Sequence, residues 1–352
     1  MKDKFRAILD EIEKDNRGLS SQNINSRILL VDGLNNYIRI WVIMPTVNED
    51  GTHVGGIVGF LQTLGLAIRT LRPTRLIVTF DGKGGSLRRR KLYPQYKQNR
   101  GRGVRLNRTH NWADDAEESK QMMYQLMRVI KYLSQLPCTV ISVDNIEADD
   151  TIGYICELCR ENDDTESLFI MSSDKDFYQL VDKKIKIWNP VKKKMTEYND
   201  IINEFNIQPY NFLLFKAMNG DSSDNLPKIK GIGKKTGIKN FPLLTETTQY
   251  STTDVLKYAQ EHQDSSRLCR ILLDNSKQYE LNYILMRLAG GNISKSAALH
   301  ILDKFNSKPH KLDHHSIQEL VLEDKLWSSF PNINSWVNLN FARLNFFAMK
   351  NK

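Results

Sequence analysis

Four short runs of apolar and β-branched residues punctuate the first half of the chain, and each gives way to an acid. Arg27-Ile-Leu-Leu-Val31 stops at Asp32-Gly33, and Leu76-Ile-Val-Thr-Phe80 stops at Asp81-Gly82. Thr139-Val-Ile-Ser-Val143 leads to Asp144 and then to Glu147-Ala-Asp149-Asp150, while Leu168-Phe-Ile-Met171 leads through Ser172 and Ser173 to Asp174-Lys-Asp176. Runs of this length, bounded by turn residues, read as strands. Between them the apolar period turns helical, so the pattern predicts an α/β fold: a central, mostly parallel twisted sheet flanked by helices. In such a sheet functional groups gather beyond the carboxyl ends of the strands. The acidic clusters are therefore expected to meet on one edge.

The ends of the chain carry weaker patterns. Phe5, Ile8, Leu9 and Ile12 recur at helical spacing and suggest an amphipathic lead-in helix over residues 3–14. Residues 245–253, rich in Thr and Ser, read as a loop, and several helices are expected from Leu256 onward. Trp327, Phe330, Trp336, Phe341, Phe346 and Phe347 would supply core or a docking face there. The expected organisation is an N-terminal helical extension (1–26), an α/β domain (27–200) and an all-α domain (201–352).

Gathering acids on one edge is electrostatically unfavourable. Two like charges about 4 Å apart repel by roughly 4 kcal/mol at an effective dielectric near 20. An aspartate after a strand can be only an Asx-turn or a helix cap, but capping explains neither the pairing of these acids nor its repetition. A site of carboxylates without His or Cys suits hard, oxygen-seeking divalent cations, Mg²⁺ or Mn²⁺. Two such ions can activate a water and stabilise the leaving oxygen of a phosphodiester.

Charge adds a second line. From Gly82 to Ala113 there are ten Lys or Arg residues and no acid, against 50 basic and 41 acidic residues overall. Tyr93 and Tyr96 are interleaved with the basic groups, the combination that tracks a phosphate backbone and stacks bases. Further on, Gly231-Ile-Gly233-Lys-Lys-Thr-Gly237 follows Asp221-Ser-Ser-Asp224 among several lysines. Glycines there allow amide N–H groups at a helix start to bind phosphate without reading sequence. A Walker nucleotide loop is not matched, because GxxxxGK[ST] is absent and no strand leads into the segment.

Composition changes the picture little. The chain has 352 residues, 40% of them hydrophobic, and a net charge of +9, which favours a polyanionic partner. No stretch approaches the ~20 apolar residues of a membrane span, and the N-terminus lacks a signal-peptide pattern, so a cytoplasmic location without a membrane partner is expected. Four cysteines are too few for a disulfide framework. Cys156 and Cys159, spaced as CxxC within a helical pattern, read as packing rather than zinc ligands. His300, His310, His314 and His315 read as surface or capping residues.

The motifs VDG, FDG followed by RRRKLYPQYKQNR, IEADD, SSDKDFYQL and NGDSSDNLPKIKGIGKKTG, in that order, resemble those of the flap endonuclease family of structure-specific 5′-nucleases. Within it the resemblance is strongest to the ribonuclease H of the T-even phage branch, and it fades after about Leu288. The resemblance implies a PIN-like 5′-nuclease domain with a helical arch (about 83–113) and a helix-three-turn-helix motif at 221–240. It implies Asp32, Asp81, Glu147 and Asp149 around a first Mg²⁺, for which Mn²⁺ could substitute, and Asp176, Asp221 and Asp224 around a second. Asp174 would lie between them, with Asp150 an added or outer ligand. Lys97 would contact the scissile phosphate. Arg88, Arg89 and Arg100 would steer or clamp the strand through an arch flexed at Gly84, Gly85, Gly101 and Gly103. Gly231, Gly233, Lys234, Lys235 and Thr236 would grip duplex DNA beside a K⁺ ion.

The expected activity is 5′-3′ exonuclease and flap endonuclease cleavage, by a monomer, near a junction of duplex with a 5′ single strand or RNA primer, in replication or repair. Single-strand binding protein or a sliding clamp is the expected partner, at the replication fork or in a host cytoplasm if phage-encoded. A PIN-type ribonuclease and a non-catalytic DNA-structure-binding protein remain the alternatives.

Overall fold

The apolar runs form strands because both faces of their sheet are covered. In the computed structural model, which describes residues 22–99, 106–288 and 293–350, they are β1 (Arg27–Asp32), β2 (Arg75–Asp81), β3 (Thr139–Val143) and β4 (Ser167–Met171). β5 (Ile185–Asn189) and the short β6 (Lys194–Thr196) complete the sheet, in the order β3-β2-β1-β4-β5-β6. All neighbours are parallel except β5 with β6. Along β1, Ile28 and Leu30 enter one apolar layer while Leu29 and Val31 enter the other, and all four are fully buried. That two-sided burial is why the strands read as continuous apolar runs.

On one face lie α1 (Gly33–Ile43), α2 (Gly55–Leu71) and α4 (Asp115–Ser134), which place Tyr37, Phe60 and Val129 against Leu29 and Val31. The six-residue α3 (Leu87–Leu92) stands at the root of the basic segment. On the other face, α5 (Ala148–Glu161) buries Ile152, Ile155, Cys156 and Cys159. The two cysteines are core packing, as their helical setting suggested.

Beyond β6 the described chain is helical: α6 (Tyr198–Phe205), α7 (Phe212–Asn219), α8 (Lys234–Asn240), α9 (Thr252–Glu261), α10 (Arg267–Asp274), α11 (Ser276–Met286), α12 (Lys295–Asn306), α13 (His314–Glu323) and α14 (Ile333–Met349). These helices divide between the two faces. Phe212, Phe215, Phe241, Tyr279 and Ile301 share a core with Ile28 and Leu30, whereas Ile317, Val321, Val337 and Phe341 return to the layer of α1 and α2. Of the C-terminal aromatics, Phe330, Phe341 and Phe347 are buried, while Trp327 and Phe346 stay exposed. The lead-in helix expected at residues 3–14 lies outside the described residues. Among those described, no helix is long and apolar enough to cross a membrane.

The strand order reverses between β1 and β4. A crevice opens where neighbouring strands connect in opposite directions, and Asp32 and Asp174 flank it.

Candidate active site

Asp32 closes β1 and caps α1, its carboxylate accepting the Asn35 N–H at 3.3 Å and the Ser172 hydroxyl at 3.2 Å. Asp81 closes β2 and accepts the Ala148 N–H at 2.7 Å, which ties it to the start of α5. Gly82 permits this approach, since a Cβ there would overlap the Val143 carbonyl. Asp149 lies in the first turn of α5, and Asp174 caps the 3-10 turn Lys175–Leu180 by accepting the Asp176 N–H at 3.0 Å. Asp32, Asp81, Asp149 and Asp174 line one cavity of about 290 Å³, together with Lys97 and Arg39. The capping reading was therefore correct for several of these acids without excluding their convergence.

Convergence has an electrostatic cost. Burial first, and then the charges of Asp81 and Asp174, raise Asp32 to about 7 against the lowering by its Asn35 hydrogen bond. Burial and Asp32 likewise push Asp149 well above the usual carboxylate range, despite the opposing charge of Lys97. Such a donor set, all carboxylate oxygen and short of positive charge, fits a hard divalent cation.

A second acidic set adjoins the first. The Lys216 ammonium on α7 pairs with Asp176 and stands 3.0 Å from Asp221 Oδ2. Burial would raise Asp221, but Lys216 and the Ser223 hydroxyl hold it below the usual range. Lys216, Asp221 and Ser223 border a cavity of about 650 Å³ with Lys228; Asp174 and Arg39 line this cavity as well as the first. Asp224 accepts the Tyr96 hydroxyl at 3.1 Å, and its carbonyl accepts the Lys97 N–H at 3.0 Å.

Glu147 and Asp150 turn instead toward Arg89, which approaches them at 2.5 and 2.6 Å. Lys97 Nζ lies 2.5 Å from Glu147 Oε1, and the Tyr96 hydroxyl donates to Glu147 at 3.2 Å. Burial would raise the Glu147 carboxyl, but Arg89 and Lys97 outweigh it and hold the group low. Lys97 adopts a left-handed backbone, φ 57°, which costs energy in any residue with a Cβ. Among the described residues no three acids, His or Cys stand ready around a single point. The chain's own cations, Lys97, Arg89 and Lys216, occupy positions among the acids.

The nucleic-acid-contact expectations, steering for Arg89 and base stacking for Tyr96, need correction at these two residues. Arg89 and Tyr96 are each 3% exposed: the guanidinium is consumed by Glu147 and Asp150, and the phenol bridges Glu147 and Asp224. Neither presents a face to a nucleic acid. Tyr93 is partly buried against the cluster of Leu213, Leu226 and Leu285, and Arg88 borders a separate groove with Asp144, Ser294 and His300. Arg100, Gly101 and Gly103 lie outside the described residues. At the hairpin, Gly231 takes φ 88°, open to glycine without strain. Thr236 Oγ1 accepts the Gly233 N–H and donates to the Gly231 carbonyl, each at 2.8 Å, leaving Lys234 and Lys235 exposed at the start of α8.

Sequence reasoning missed Lys216 and Arg39. Lys216 had a signal, as the one charged residue in the otherwise apolar Phe212-Leu-Leu-Phe-Lys-Ala-Met218. A lysine in such a stripe is held there by an acid.

The family model described as the 5′-3′ exonuclease, N-terminal resolvase-like domain, matches residues 27–206. A 5′-3′ exonuclease of Mycoplasma pneumoniae is 33% identical over 250 residues, covering 66% of this chain and 77% of its own length. DNA polymerase I of Rhizobium leguminosarum is 32% identical over 219 residues, 59% of this chain but only 20% of the polymerase. The crystal structure of the bacteriophage T5 D15 flap endonuclease with DNA and metal ions superposes with a TM-score of 0.59 at 18% identity, covering 85% of this chain and 99% of that one. At that identity the last likeness is one of fold.

Proposed function

The chain belongs to the 5′-3′ exonuclease family, and on that footing we propose how its site works. It is a nuclease, a 5′-3′ exonuclease and flap endonuclease acting on DNA in replication and repair. One observation carries the reading: Asp32, Asp81, Asp149 and Asp174 line a single cavity with Lys97, and Asp174 also borders the adjoining cavity lined by Asp221 and Lys216.

Asp32, Asp81, Asp149 and Glu147 would hold one divalent cation, Mg²⁺ with Mn²⁺ as a substitute. Asp176, Asp221 and Asp224 would hold another, with Asp174 between. Asp150 would act from outside, a role supported by the commitment of both its oxygens to Arg89. When bound, the cations supply Lewis-acid stabilisation of the phosphodiester and lower the pKa of a water. The chain's own residues do the rest. Lys97 presents an ammonium to the scissile phosphate, and Arg39, exposed where the two cavities meet, offers a second cation to the strand. Lys234, Lys235 and the glycine turn before them hold duplex phosphates without reading bases, beside a monovalent cation such as K⁺. No covalent enzyme intermediate is required.

The substrate in this reading is the junction of duplex with a 5′ single strand or RNA primer. The protein acts as a monomer at the replication fork, in contact with single-strand binding protein or a sliding clamp. Cleavage of a 5′-labelled flap, a nicked RNA–DNA hybrid and a plain single strand, each with Mg²⁺ and with EDTA, tests it. Metal-dependent cutting at the junction in preference to the single strand is expected; equal cutting of all three, or cutting in EDTA, would overturn the reading.

A further inference from the structure

Arg89 joins three parts of the chain through one guanidinium. Its Nε donates to the Leu285 carbonyl in α11 at 2.7 Å. Nη1 donates to Glu147 Oε2 at 2.5 Å and to Asp150 Oδ2 at 2.6 Å, and Nη2 reaches Asp150 Oδ1 at 2.8 Å. Both Asp150 oxygens and one Glu147 oxygen are thus committed to a buried arginine. The other Glu147 oxygen, Oε1, is 2.5 Å from Lys97 Nζ, and Lys97 borders the acidic cavity. The two contacts differ in kind. A guanidinium is a planar, permanently charged fork, pre-organised for carboxylates, whereas an ammonium is a point charge on a flexible stem. Arg89 is the fixed partner of Glu147 and Lys97 the exchangeable one.

We propose that Arg89 is a positioning residue that clamps Glu147 so that only Oε1 can exchange, and that a divalent cation and the Lys97 ammonium compete for that oxygen. With a divalent cation held at that oxygen, the Lys97 ammonium would be free to turn toward the substrate phosphate, so the lysine would be available only in the loaded site. The inference rests on the metal-ligand reading above and extends it. It also replaces the strand-clamp role expected of Arg89.

Mn²⁺ titration followed by electron paramagnetic resonance, on the full chain without DNA, tests it. Lys97→Met removes the competitor and should tighten Mn²⁺ binding severalfold. Arg89→Lys keeps the charge but loses the fork; it should weaken Mn²⁺ binding by about 10–100-fold, the usual loss when a partner that orients a ligand is removed. The same variant should lose kcat while its flap-DNA affinity in EDTA stays within about twofold of wild type, a split that follows from losing a transition-state interaction. Unchanged or weaker Mn²⁺ binding by Lys97→Met would overturn the competition. Lost DNA affinity with normal Mn²⁺ binding in Arg89→Lys would restore the strand-clamp role. Should Arg89→Lys fail to fold, Lys97→Met alone decides between tighter binding, which supports the proposal, and unchanged binding, which overturns it. A wild-type protein that binds no Mn²⁺ would remove the metal reading itself, whereas normal wild-type binding with unaltered variants would sink this inference alone.

Discussion

Asp174 is the acid that borders both cavities, and its position follows from a short chain of causes. β4 ends at Met171 in the centre of the sheet, Ser172 donates to Asp32, and Asp174 caps the next turn. Asp174→Ala should lower the cleavage rate by about 10³-fold or more, the order lost with a group that stabilises transition-state charge, while flap binding is kept; near wild-type turnover would exclude it from the site. Lys97→Ala should slow single-turnover cleavage by about 10²-fold with a smaller loss in binding, and a loss confined to binding would exclude its proposed role at the phosphate. The cysteines give a check on packing. All four are buried, and burial pushes the Cys138 and Cys159 thiols up to about 12. Their thiols ionise near 8.5 when unfolded, so the stability they contribute is whole below about 8.5 and is lost as pH rises toward the folded value. Native protein at pH 8 should therefore react with a thiol reagent only after denaturation; rapid reaction would mean that the packing around at least one of these cysteines is open.

The segments differ in how well their chemistry could be read from the sequence. The strand-end acids were legible because a parallel strand buried on both faces writes itself as an uninterrupted apolar run, and its end is marked by the first acid. In the basic segment the roles of single residues were not legible. Arg89 and Tyr96 look like their neighbours in sequence, and what buries them is remote: Arg89 meets the Leu285 carbonyl and Tyr96 meets Asp224. Before α8, exposed lysines stand beside a glycine turn. Changing Lys234 and Lys235 together to Ala should weaken duplex binding and flatten its log-log salt slope by about 0.9 for each phosphate that is no longer neutralised. A slope equal to wild type would place the duplex grip elsewhere.

Taken whole, the molecule uses its helical second half twice. α6 to α12 bury one face of the sheet and bring Lys216, Asp221 and Asp224 beside the strand-end acids, while α13 and α14 return to seal the other face. The return was not legible, because Ile317, Val337 and Phe341 show an apolar pattern without saying which surface receives it. It is fastened by a buried ion pair: Arg128 Nε lies 2.8 Å from Asp324 Oδ1, and the Tyr132 hydroxyl donates to Asp324 Oδ2 at 3.0 Å. Asp324→Ala leaves Arg128, among the described residues, with the exposed Glu323 as its charged partner, and should destabilise the protein by about 3 kcal/mol, read as a lower urea midpoint. An unchanged midpoint would show that the two C-terminal helices do not fold cooperatively with the sheet.

Among possible measurements, the decisive one is single-turnover cleavage of a 5′-labelled flap by wild type and by Asp174→Ala, with Mg²⁺ and with EDTA, alongside flap binding in EDTA. The structure predicts junction cleavage by wild type only with Mg²⁺, cleavage by the variant slower by about 10³-fold or more, and equal binding by both. Cleavage by Asp174→Ala at the wild-type rate, or metal-independent cleavage by wild type, would contradict the assignment of the acidic crevice as the catalytic site.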